Sequence, residues 1–221
     1  MDLFDKDIKL TIENRSKLFK NKNLLYWYKK SYECIFSDIA GVENLSILEI
    51  GSGTSPIKHF YAKVKTSDIM PLTFVDYQFD ALDIDSCPQL DGKTFDIITF
   101  SNVLHHIKKP VEFLVKCEKR INENGKIIFL EPNFSFLSGF IYKYIHHEYT
   151  NMDILKPEIE NIQGPLSSSN IALPYLIFFR NKHWGLMMKG KYETERTSYF
   201  TSLSYFLTGG ISYTFPVPHI I

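Results

Sequence analysis

One stretch constrains this chain more than any other. Ser46-Ile-Leu-Glu-Ile50, a short apolar run, feeds straight into Gly51-Ser-Gly-Thr-Ser-Pro56. A strand that turns through Gly-x-Gly into a helix brings backbone N–H groups close to a ligand, because no Cβ intervenes. Pro56 suits a first helical turn, where its missing N–H costs nothing, and predicts a helix through Ile57, Phe60 and Tyr61. The other half of the feature is an acid ending the next strand. Val64 to Asp68 predicts that strand, and Asp68 lies 17 residues past Gly51, where such folds hydrogen-bond a ribose diol.

The rest of the chain continues the alternation. Phe74 to Phe79 predicts a third strand ending near Asp80, Phe95 to Phe100 a fourth, and Lys126 to Leu130 a fifth. Pro110 to Ile121 has helical spacing, with Asn124-Gly125 as its stop signal. Strands alternating with helices over 45–131 predict an α/β fold with a doubly wound, mostly parallel, Rossmann-like sheet. Before it, Leu24, Leu25, Tyr28, Tyr32, Ile35 and Ile39 give one face of a helix that Gly41 can end. After Pro132 the pattern loosens: 134–149 reads as aromatic helix, 157–172 as loop, 174–180 as strand and 200–207 as a short amphipathic segment. The expected organisation is one domain with three parts: an N-terminal helical lid over 1–44, a cofactor-binding core over 45–132, and an aromatic addition over 133–221. The last strand lies within Ile211 to Val217 or is missing.

Two details argue against a nicotinamide cofactor. The third glycine of G-x-G-x-x-G would fall on Pro56, and Glu49, two places before Gly51, would repel a pyrophosphate. A ligand carrying an ammonium would be attracted. Ile47-Leu-Glu-Ile-Gly-Ser-Gly-Thr54 resembles the first motif of class I S-adenosylmethionine-dependent methyltransferases, of the type 11-like small-molecule group. The resemblance continues through Ser67-Asp-Ile69, Asp80-Ala-Leu82 and Phe95-Asp-Ile-Ile-Thr-Phe-Ser-Asn-Val-Leu-His-His-Ile107. It ends with Arg120-Ile-Asn-Glu-Asn-Gly-Lys-Ile-Ile-Phe-Leu-Glu-Pro132. Ser55 stands where the family's turn has its third glycine, and Asn122 to Asn124 replace the usual Leu-Lys-Pro.

The resemblance implies S-adenosyl-L-methionine as cofactor and assigns residues to it. Gly51, Ser52 and Gly53 would let the backbone pass beside its methionine part, and Glu49 would neutralise the amino group. Asp68, followed by Ile69, would take the ribose hydroxyls. Asp80 would accept from the adenine amino group with Ala81 beside the ring, Asp83 being the competing candidate. Ser101 and Asn102 would line the pocket beneath the sulfonium. Methyl transfer to oxygen or nitrogen also needs a proton removed, and histidine accepts one near neutral pH. His106 of the His105-His106 pair, and His147 with Glu148, are the candidate catalytic groups; one histidine of the first pair is expected to pack instead. No metal is expected.

Composition limits the partners. Twenty-five basic residues balance twenty-five acidic ones and only four are arginine, which excludes the broad positive field of a nucleic-acid binder. Cys34, Cys87 and Cys117 are too scattered for a disulfide framework or zinc ribbon. The charged start carries no signal peptide and no run reads as a spanning helix, so a cytoplasmic location is the expectation, with peripheral membrane contact left open. Residues 134–221 hold 17 of the 33 aromatics; since the cofactor motifs end near Pro132, the resemblance implies an addition there on the acceptor side, its aromatics packing over the sheet or lining an apolar acceptor pocket. The expected activity is methylation of O or N on a small-molecule or glycan/lipid-linked acceptor. Two alternatives stand beside it: a cofactor-binding accessory or pseudo-enzyme without turnover, and an NAD- or nucleotide-sugar-dependent Rossmann enzyme. Oligomeric state is left open.

Overall fold

A computed structural model of the chain describes residues 2–134, 149–160, 162–188, 190–199, 205, 208, 210 and 211. Its centre is a five-stranded parallel sheet in the order β3-β2-β1-β4-β5. The strands are β1 (Ile47–Glu49), β2 (Lys65–Asp68), β3 (Tyr77–Gln78), β4 (Phe95–Ser101) and β5 (Ile121–Leu130). From β1 the chain winds outward through β2 to β3, then returns to the other side of β1 for β4 and β5. That reversal opens a crevice at the C-terminal ends of β1 and β4, where doubly wound sheets bind ligands.

Alternation along the strands divides the core between the two faces. Ile47 and Ile97 pack with Tyr32, Phe36, Ile57 and Val64 on one face. Leu48 and Ile98 pack on the other with Phe100, Phe113, Leu114 and Cys117. Helix α4 (Pro110–Cys117) covers that second face, as do Leu173, Leu176 and Ile177 from further along the chain.

The N-terminal region forms two helices, α1 (Leu3–Lys20) and α2 (Lys22–Ile35), rather than the single one expected. Asn21 makes the break with an extended backbone. Its N–H bonds Leu18 O at 3.0 Å, and its side-chain oxygen accepts from Leu24 N at 3.0 Å. One residue thus ends α1 and caps α2. Gly41 does not end α2, which stops at Ile35; it takes a left-handed φ of 64° ahead of a short 3-10 turn. The helix after Pro56 is one turn, α3 (Ile57–Phe60).

Two further expectations are corrected. Asn124-Gly125 is not a helix stop, because α4 ends at Cys117 and β5 is already running. The pair belongs to an irregularity where Phe95 opposes Ile121 but Ile97 opposes Lys126. Asn124 there has a φ of 62°, and a Cβ on Gly125 would meet Asn122 O at 2.9 Å and Asp96 O at 3.0 Å. The stretch 174–180 is helical, not a strand: a turn at Leu173–Tyr175 continues as a π-helix over Leu176–Arg180. Leu173, Leu176 and Ile177 are buried at helical spacing, and burial of that face outweighs the strand preference of Phe178 and Phe179. The region 157–172 is irregular as expected, yet Ser168, Ser169 and Asn170 are buried. The expected helix 134–149, segment 200–207 and last strand lie largely outside the described residues.

Candidate active site

The glycine turn is held by its own side chains. Gly51 has a φ of 65°, and a Cβ there would stand 2.6 Å from the Val103 side chain, so only glycine fits. Ser52 N donates to Ser67 O at 2.8 Å, joining the turn to β2. Asp68 at the end of β2 closes it: one carboxylate oxygen accepts from Gly53 N at 2.8 Å, the other from Met70 N at 2.9 Å. Burial raises the Asp68 pKa, and these backbone donors oppose the rise. Ile69 follows with its side chain open to solvent.

Glu49, the last residue of β1, is 2% exposed beneath this turn. Ser55 Oγ donates to its Oε1 at 2.6 Å, while Oε2 is buried and has no hydrogen-bond partner among the described residues. Burial pushes the Glu49 pKa up to about 7, the hydroxyls of Ser55 and Ser52 and the charge of Arg15 opposing it. A buried carboxylate with an unused oxygen is complementary to a cationic donor. The ammonium of an amino-acid ligand meets that requirement.

Helix α1 lies across the turn with one face. Asp7 accepts from Leu166 N, Ser167 N and Ser167 Oγ at 2.9, 3.1 and 2.8 Å. Four residues on, Thr11 Oγ1 donates to Met70 Sδ at 3.6 Å, and after four more Arg15 Nη1 donates to Ser55 O at 2.5 Å. The Arg15 guanidinium also sits over the Phe74 ring, 4.2 Å from its centre.

The third wall follows β4. Ser101 ends that strand, and Asn102 turns with a φ of 57°, unusual for a residue with a side chain. Glu131, one residue past β5, holds the backbone that follows. Its Oε1 accepts from Val103 N and Leu104 N, both at 2.7 Å, and its Oε2 lies 2.7 Å from His105 Nδ1. His105 is buried. His106 is half-buried, its Nδ1 3.0 Å from Ser168 O. A carbonyl only accepts, so Nδ1 carries the proton and the neutral ring keeps its lone pair on Nε2. Beyond β3, Asp80 accepts from Leu82 N at 2.9 Å and caps the turn Ala81–Asp83, with Asp83 itself exposed.

The structure therefore brings Glu49, Gly51, Ser52, Gly53, Asp68 and Ile69 together at the ends of β1 and β2, with Ser101 and Asn102 at the end of β4. His147 and Glu148 lie outside the described residues. Among the described residues no group of three or more His, Cys, Asp or Glu stands together as metal ligands, and no helix is long and apolar enough to cross a membrane. Not legible as site residues were Asp7, Glu131 in the part it plays, and Asn170, whose N–H bonds the carbonyl of His105 at 2.9 Å. The signal for Glu131 was its place after the last parallel strand. Asp7 offered only its spacing of four from Thr11, and Asn170 offered none.

A family model described as a methyltransferase domain matches residues 14–184. The chain belongs to that family. It is a class I S-adenosylmethionine-dependent methyltransferase domain by family, and the parallel sheet described above is the family's Rossmann-like fold. No curated protein matches the chain. Among solved structures it is similar to the N-methyltransferase NodS from Bradyrhizobium japonicum WM9 in complex with S-adenosyl-L-homocysteine. The identity is 18%, over 51% of this chain and 63% of that one, with a TM-score of 0.38. A second is an S-adenosylmethionine-dependent methyltransferase from Mesorhizobium loti, at 18% identity over 46% of this chain and 53% of that one, with a TM-score of 0.36. The chain spans less than two thirds of the length of both. The residues of this methyltransferase domain fit the family's cofactor: a buried carboxylate with one oxygen unpartnered among the described residues is suited to its ammonium, beside a turn that leaves room for no Cβ at Gly51.

Proposed function

We propose that this chain is an active methyltransferase that moves a methyl group from S-adenosylmethionine to O or N of a small-molecule or glycan/lipid-linked acceptor. The observation that carries the reading is Glu49, buried at the end of β1 with an oxygen that no described residue satisfies. In this reading Glu49 receives the cofactor's ammonium and Gly51 to Gly53 give the methionine part backbone contact. Asp68 takes the ribose hydroxyls on lone pairs left by Gly53 N and Met70 N, with Ile69 beside the sugar. Asp80 and Ala81 meet the adenine, Asp80 being preferred to the exposed Asp83. Ser101 and the strained Asn102 line the pocket under the sulfonium. Residues 1–44 act as a lid, and 133–221 as the acceptor side of the same domain.

Bound there, the cofactor supplies an electrophilic methyl group and leaves as a neutral thioether, so little acid catalysis is needed. The chain's task is alignment and removal of one proton from the acceptor. His106 is the base in this reading: the Ser168 carbonyl fixes its proton on Nδ1, so Nε2 is the nitrogen that would accept the acceptor's proton. His105, buried against Glu131, positions the loop. His147 and Glu148 remain the candidate groups from the acceptor side.

The decisive test is titration calorimetry with S-adenosylhomocysteine and, separately, NAD, followed by transfer of labelled methyl groups to fractionated cell extract. Cofactor binding with methyl transfer is expected; binding of NAD alone overturns the reading, and binding without transfer leaves an accessory subunit. With an acceptor in hand, His106→Asn should lower turnover about 100-fold or more while cofactor affinity holds. Unchanged turnover would remove His106 from the base position.

A further inference from the structure

Ser55 stands where the family's turn has its third glycine, and the structure shows what its hydroxyl does. Ser55 Oγ has three neighbours: Glu49 Oε1 at 2.6 Å, the Tyr32 hydroxyl at 2.8 Å and Ile57 N at 3.2 Å. A hydroxyl has one proton and two lone pairs. Ile57 N can only donate, and an ionised carboxylate can only accept. Ser55 therefore donates to Glu49 and Tyr32 donates to Ser55. The chain of protons runs one way, from α2 through the turn to the end of β1. Protonating Glu49 on Oε1 would force both hydroxyls to turn round, and protonating it on Oε2 would bury a proton with no acceptor among the described residues.

We propose that Ser55 and Tyr32 are positioning residues, a hydroxyl relay that holds Glu49 oriented and ionised to receive the cofactor's ammonium. The inference rests on the cofactor reading above and assigns to Tyr32 a part beyond packing in the α2 stripe. The relay works against burial, which favours the neutral acid. Other groups face Glu49: Arg15 from α1 favours its charge, while Asp68 from β2 opposes it. Tyr28 and Tyr32 come from α2, and burial together with the Glu49 charge holds the phenol protons on both. Tyr32 is thus kept a donor.

The test is calorimetric titration of S-adenosylhomocysteine from pH 5.5 to 9 with wild type, Ser55→Ala, Ser55→Thr and Tyr32→Phe. Wild-type affinity should fall as Glu49 protonates, below about pH 7. Ser55→Ala should raise that midpoint by about one pH unit, weaken binding about fivefold at pH 7, and converge on wild type at pH 9. Tyr32→Phe should shift the midpoint less and in the same direction, and Ser55→Thr, which keeps the hydroxyl, should restore it. Ser55 also meets the first turn of α3 through Ile57 N, and damage to that turn would weaken binding equally at every pH. That result, or an unmoved midpoint, overturns the relay. If wild type binds no S-adenosylhomocysteine at any pH, the cofactor reading fails. Carbon NMR of the Glu49 carboxyl in the unliganded protein then still decides the relay, since its titration must move up in Ser55→Ala.

Discussion

The ends of β1 and β5 make an instructive pair. Each carries a glutamate with a buried side chain, Glu49 within β1 and Glu131 one residue past β5. Glu131 has both oxygens engaged, one by two backbone N–H groups and the other by a histidine ring. Glu49 has a serine hydroxyl on one oxygen and no partner among the described residues on the other. A carboxylate with both oxygens engaged by the chain is part of the scaffold, and its removal strands its donors. A carboxylate left short carries a desolvation cost that only a ligand relieves. The same residue type in nearly the same topological place thus serves two ends, and the count of donors tells them apart.

The comparison breaks first at Glu131 if it is wrong. Glu131→Ala leaves Val103 N, Leu104 N and His105 Nδ1 without their acceptor inside the protein, and should cost about 4 kcal/mol in urea unfolding. A loss below about 1 kcal/mol would mean that the loop is held by something else. Glu49 should behave in the opposite sense. Its pKa in the folded chain, about 7, lies above the ordinary 4.5, so the folded state holds the proton longer than the unfolded one. Wild-type stability should therefore decline between pH 4.5 and 7 relative to Glu49→Gln, by on the order of 3 kcal/mol. The same variant should lose cofactor binding. Parallel stability curves for the two proteins across that window would show that burial does not perturb Glu49.

What was legible in the sequence follows the same division between local and distant partners. The glycine turn, β1 and β4 were readable because adjacent residues specify them, and the motif series carried the sheet. Glu131 was legible only as the end of a motif, since its partners stand 26 to 28 residues away in sequence. The helix break at Asn21 was not legible, because a cap depends on one side-chain bond. The stretch 174–180 misled because aromatic residues favour strands, and packing of Leu173, Leu176 and Ile177 overrides that preference. The irregularity at 122–125 hid behind Asn-Gly, which marks a left-handed turn without saying whether a helix or a strand contains it.

Asp7 extends the comparison to a third buried acid and predicts the smallest of these effects. It resembles Glu131, with three donors on two oxygens, but all three come from a single loop, at Leu166 and Ser167. A Cβ on Gly164 would meet Asp7 Oδ2 at 2.5 Å, so α1 and that loop touch with no space between them. The loop also carries Ser168 O to His106 and Asn170 N to the carbonyl of His105 at 2.9 Å. Asp7→Ala should therefore cost about 2 kcal/mol, less than Glu131→Ala, because released loop donors can reach water as the loop lifts. The loss should be local. Hydrogen exchange at Ser168 and Asn170 should quicken while the amides of β4 keep their protection. If β4 loosens as well, Asp7 belongs to the global scaffold in the way Glu131 does. If neither changes, α1 is held over the turn by Thr11 and Arg15 without it.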